Sequence, residues 1–182
     1  MSKNNINNLL NYFTNEELNQ IIEIDDLYLR AKKVVITIFK DKFDKAGKPY
    51  IEHLLRVSDK LNEPIEKIAG LLHDVVEDTD VTFDDLLEIG FSKDIIDIVK
   101  LVTKNKIDKI NMSEEEKLKL YNDEIDGIIN SGNMHAIRLK EADMSDNFDV
   151  ERLKDLPYDK QEWFNKKYRL QLIKLRKAKE KK

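Results

Sequence analysis

The chain has 182 residues and a mass of 21.4 kDa, enough to bury a core without disulfide or metal staples. Its 41% hydrophobic and 37% charged residues, with five Gly, three Pro and no Cys, exclude collagen-like and low-complexity chains, a disulfide framework, a thiolate metal site and a cysteine nucleophile. The net charge of −4 is unevenly placed: residues 166–182 hold nine Lys or Arg and one Glu, leaving an acidic body ill suited to general nucleic-acid binding.

The punctuation predicts helix after helix. Thr14 and Glu17 form a capping box. Leu27, Leu29, Ala31, Val34, Val35, Ile36, Ile38 and Phe39 support a helix within 25–41, although β-branched Val34 to Ile38 would also suit a strand. Gly47 and Pro49 break it, and Tyr50 to Leu61 is a second amphipathic run. Pro64 sits in the first turn of a helix expected to run to about Glu77, apolar nearly all round at Ile68, Ala69, Leu71, Leu72, Val75 and Val76. Thr82 and Ser92 cap two further helices.

Residues 104–112 read as a polar loop. Ser113 and Glu116 form a second capping box, on a helix closed by Gly132. Residues 134–146 are helical, and Asp159 to Glu162 opens a last helix that ends in the basic tail. The expectation is an all-α fold, a single compact bundle of about eight to ten helices. Residues 1–24 form a helical extension, 25–156 the main domain, and 157–182 a C-terminal helix packed on it. No apolar run approaches the roughly 20 residues of a membrane span, and the N-terminus has no secretory h-region, so a cytoplasmic protein is expected.

Only three His are present: His53, His73 and His135. His73 precedes Asp74 in the most apolar helix, where a charged Asp is costly unless paired or bound to a metal. On a continuous helix His73 would share a face with Glu77, and Asp74 with Asp78. Imidazole with carboxylates suits Mn, Fe, Zn or Co, and His53, His73, Asp74 and Asp143 around one ion would leave positions open for water and substrate. Plainer roles exist for the same residues. His73 could be a hydrogen-bonded core residue oriented by Asp74, Asp78 a turn residue, and Glu77 a solvated residue of the last turn.

Taken together, KAGKPYIEHLLRV (45–57), IAGLLHDVVEDTDVTFDDL (68–86), IVKLVTK (98–104) and LKEADMSDNFDVERL (139–153) resemble the HD-domain superfamily of metal-dependent phosphohydrolases. The match is to its RelA/SpoT-type branch of (p)ppGpp 3′-pyrophosphohydrolases and their small stand-alone relatives. The resemblance implies an HD-domain helical bundle and an enzyme that attacks a nucleotide with a metal-bound water. It makes His53, His73, Asp74 and Asp143 the ligands of one divalent ion, Mn2+. Glu77 and Asp78 become the catalytic pair that activates or positions the water. Asn147 is placed near the nucleotide sugar, and Lys45 and Lys48 flank the phosphate and base side.

Two positions depart from the pattern. Asp44 stands where the hydrolases usually carry a basic residue against guanine. Asp146 replaces the usual His, as it often does in the short relatives. No synthetase domain follows, so alarmone synthesis is not expected. The partner implied is a small-molecule nucleotide, with no membrane and no specific nucleic acid. The alternatives are hydrolysis of another nucleotide or phosphoester, a non-catalytic nucleotide-binding HD module, or an RNA-binding role for the tail with salt-sensitive affinity.

Overall fold

A computed structural model describes residues 8–44, 47–104, 110, 112–154 and 156–180. Lys45 and most of the polar stretch 104–112 lie outside the described residues, as do 1–7 and the last two residues of the tail. The fold is all-α: among the described residues the only β-pairing is an isolated bridge between Phe43 and Pro49. The chain divides into two compact units, Met1–Thr103 and Lys104–Lys182.

In the first unit a 3-10 turn, Leu9–Asn11, leads into α1 (Asn15–Ile22), α2 (Leu27–Ile38), α3 (Tyr50–Asp59), α4 (Pro64–Leu72), α5 (Val75–Asp78), α6 (Phe83–Glu88) and α7 (Lys93–Val102). The caps read from the sequence are in place. Thr14 and Glu17 close a reciprocal capping box on α1, while Thr82 caps α6 and Ser92 caps α7. Val34 to Ile38 lie in α2, where Val34 and Val35 are fully buried: the apolar face that α2 buries outweighs its β-branched content.

Helix α4 is the centre of this unit, packed by α2, α3 and α7, and its Ala69, Leu71 and Leu72 are wholly buried. Gly70 makes the α3–α4 contact close. A Cβ there would lie 2.9 Å from Leu61 Cδ1 and 3.2 Å from the Ser58 Cα. Arg30 ties α1, α2 and α6 together. Its guanidinium donates to the carbonyls of Ile22, Ile24 and Ile89 at 2.7–3.0 Å, taking up acceptors that helix ends leave without partners. The adjoining Gly90, at φ +100, admits that side chain, since a Cβ would fall 2.3 Å from Arg30 Nη1.

The predicted helix through Glu77 is interrupted. Helix α4 stops at Leu72, and α5 restarts as a single turn at Val75. The cause is local. His73 Nδ1 lies 2.7 Å from the carbonyl of Gly70, the acceptor that the amide of residue 74 would take in an unbroken helix. The imidazole therefore competes for a rung of the ladder, and Asp74 sits at φ −96, ψ −5 between the two helices.

The second unit holds α8 (Glu114–Asn130), α9 (Met134–Asn147), α10 (Val150–Leu153) and α11 (Tyr158–Glu180). Helix α8 carries the Ser113–Glu116 capping box and ends before Gly132 at φ +67. Helix α11 packs on α9 and α8, burying Tyr168, Gln171, Leu172 and Leu175. The basic tail is part of this helix, and several of its cations have carboxylate partners. Lys174 bonds Asp126 at 2.8 Å, and Arg176 and Lys179 bond Glu141 at 3.0 and 2.6 Å.

Candidate metal centre

The site draws on the first turn of α3 and the break that follows α4. His53 projects from the first turn of α3, one turn after Tyr50, and is 2% exposed. His73 and Asp74, 4% and 8% exposed, occupy the break between α4 and α5. The imidazole rings stand edge to face with centroids 5.5 Å apart, and their ligand nitrogens are within 4.8 Å. Asp74 Oδ2 lies 3.2 Å from His73 Nε2 and 3.7 Å from His53 Nε2. Three of the predicted donors therefore lie together as a buried cluster within the first unit.

The donor chemistry fits a divalent cation. A carbonyl only accepts, so the His73 Nδ1–Gly70 contact places the His73 proton on Nδ1 and turns the Nε2 lone pair toward Asp74. Two imidazoles and a carboxylate form the mixed nitrogen and oxygen set that first-row divalent metals take.

Around this core lie groups that the sequence did not flag. Tyr50 donates its hydroxyl to Asp74 Oδ2 at 2.6 Å. Lys42 bonds Asp78 Oδ2 at 2.5 Å, and its ammonium stands 4.2 Å from the Tyr50 ring centroid and 5.1 Å from that of Phe39. Asp78 is thus engaged by a cation, whereas Glu77 is half-buried in α5. Asp44 builds the loop before α3: its Oδ1 accepts from the Lys48 amide at 3.0 Å, and its own amide donates to the Lys48 carbonyl at 2.8 Å. The Lys48 side chain is exposed. Lys45 falls outside the described residues.

In the second unit Asp143 lies on α9 and is 7% exposed. Lys140, itself buried, bonds Asp143 Oδ2 at 2.8 Å, and Asn147 donates to Oδ1 at 2.5 Å. These residues sit three and four positions away, on the same helix face. Asp146 is fully buried on that helix, and His135 is half-buried in its first turn. Lys140 was not singled out in the sequence, although its i,i+3 spacing from Asp143 was there to be read.

No family model matches the chain. It is 33% identical over 157 residues to a probable guanosine-3′,5′-bis(diphosphate) 3′-pyrophosphohydrolase of Mycoplasma genitalium, covering 82% of this chain and 20% of that protein. It is 34% identical over 85 residues to the guanosine-3′,5′-bis(diphosphate) 3′-pyrophosphohydrolase MESH1 of Drosophila melanogaster, covering 43% of this chain and 46% of MESH1. The chain therefore spans a fifth to just under half of the length of these relatives.

A solved metazoan ortholog of SpoT, described as hydrolysing ppGpp, superposes with a TM-score of 0.62 at 22% identity. That match covers 83% of this chain and 94% of the solved one, and shows a shared fold. Among the described residues no helix is long and apolar enough to cross a membrane. The chain is therefore similar in sequence to these guanosine-3′,5′-bis(diphosphate) 3′-pyrophosphohydrolases and shares the fold of the solved SpoT ortholog.

Proposed function

We propose that this chain hydrolyses (p)ppGpp at its 3′-pyrophosphate, using one divalent cation, Mn2+, held by His53, His73, Asp74 and Asp143. The observation that carries the reading is the buried cluster of His53, His73 and Asp74, whose donor set and His73 tautomer suit such an ion. The named relatives support the substrate. A bound cation neutralises phosphate charge and lowers the pKa of water toward about 7.

The protein's own groups do the rest. Glu77 accepts a proton from the attacking water, and Asp78, braced by Lys42, orients it. The water oxygen bonds to phosphorus, the bond from phosphorus to the ribose 3′ oxygen breaks, and that oxygen leaves with a proton. Pyrophosphate and GDP or GTP are the products. Lys45 and Lys48 neutralise the remaining phosphates, and Asn147 serves the sugar side. The reaction takes place in the cytoplasm.

A specific observation favours a second reading. Asp44, engaged in its loop, offers no cation for a guanine to stack on, which suits a different nucleotide at the same metal centre. A panel of nucleotides incubated with protein and Mn2+, with pyrophosphate and phosphate quantified, separates the two. Pyrophosphate released from ppGpp ahead of every other nucleotide is the expected outcome. Preference for another nucleotide favours the second reading, and no release from any member of the panel contradicts both.

A further inference from the structure

We infer that Tyr50 is a positioning residue of the metal centre, acting through Asp74; the inference rests on the metal reading proposed above. The Tyr50 hydroxyl donates at 2.6 Å to Asp74 Oδ2, the oxygen that faces both His73 Nε2 and His53 Nε2. The phenol donor holds this carboxylate oxygen beside the two imidazoles and adds no charge of its own.

The hydroxyl is itself aimed by its surroundings. Tyr50 opens α3 directly after Pro49, where φ is preset. Its ring packs tilted against Phe39, with centroids 5.3 Å apart, and against His53 at 5.7 Å, while the Lys42 ammonium lies over it. Its amide donates to the Lys42 carbonyl at 2.9 Å, next to the Phe43–Pro49 bridge. Ring and hydroxyl are thus held from several sides, the arrangement by which outer groups hold a metal-binding carboxylate.

The test is titration of wild type, Tyr50→Phe and Lys42→Met with Mn2+ by calorimetry and with Co2+ by visible absorption, beside thermal melts. Tyr50→Phe keeps the ring and removes only the donor. The expected result is Mn2+ affinity about 10- to 100-fold weaker, a changed Co2+ ligand-field spectrum and a nearly unchanged melt. Lys42→Met removes the cation over the ring but leaves the hydroxyl, and its Mn2+ affinity is expected within about twofold of wild type.

An unchanged Co2+ spectrum and affinity in Tyr50→Phe overturn the inference alone. So does an equal loss in Lys42→Met, because the effect then belongs to packing around the ring. Wild type that binds neither ion overturns the metal reading and this inference with it.

Discussion

Asp74 and Asp143, the two aspartates proposed above as ligands of one cation, are held by different groups. Asp74 sits at a break between two helices and is fixed by an uncharged tyrosine hydroxyl. Asp143 lies inside an unbroken helix and is held by the buried Lys140 ammonium and the Asn147 amide. The contrast separates two ways of keeping a carboxylate in a low-dielectric place. A neutral donor orients the charge without cancelling it, whereas a cation offsets the charge and makes the residue part of the structure. Asp74 is therefore expected to matter chiefly for metal binding, and Asp143 for metal binding and stability together.

The change with the largest expected effect sharpens that division by leaving both aspartates alone. Glu77→Gln is expected to keep one equivalent of metal and lose turnover by about 10²- to 10⁴-fold, as removal of a general base does. Metal analysis with steady-state kinetics checks it, and an unchanged rate removes Glu77 from the mechanism. Next comes Lys140→Met, which leaves Asp143 buried without its cation. A cost of about 3 kcal/mol in urea unfolding is expected, against well under half of that for Tyr50→Phe. Equal costs would erase the contrast between the two carboxylates.

The smallest effect concerns Glu141. Burial raises the pKa of its carboxyl, but hydrogen bonds from Lys179 and Arg176 outweigh that and hold it below its ordinary value of 4.5. The folded state thus binds its proton less readily than the unfolded chain. The stabilisation is fully present above pH 4.5 and is lost as pH falls through the folded-state value. Glu141→Gln is expected to cost about 0.5 kcal/mol at neutral pH, discounted for solvent screening, with the gap to wild type closing as the medium is acidified. A gap that widens on acidification contradicts the assignment.

Much of this was legible in the sequence because it is local. The Thr14 and Ser113 capping boxes and Pro64 in the first turn of α4 are signals confined to four residues, and they hold. His53, His73 and Asp74 were readable from their motifs, and the structure brings them together. The break after Leu72 was not readable. Apolar periodicity runs straight through it, and the side chain of His73 reaching the Gly70 carbonyl is a contact that periodicity does not report. Tyr50 and Lys42 were missed because their partners lie 24 and 36 positions away, contacts that no spacing rule reports.

The most direct test is the metal itself: equilibrium dialysis of wild type, His73→Ala and Asp74→Ala against Mn2+, with bound ion measured per chain. The account predicts about one Mn2+ per wild-type chain and none above background in either variant, with both variants still helical by circular dichroism. One equivalent retained by both folded variants would contradict it.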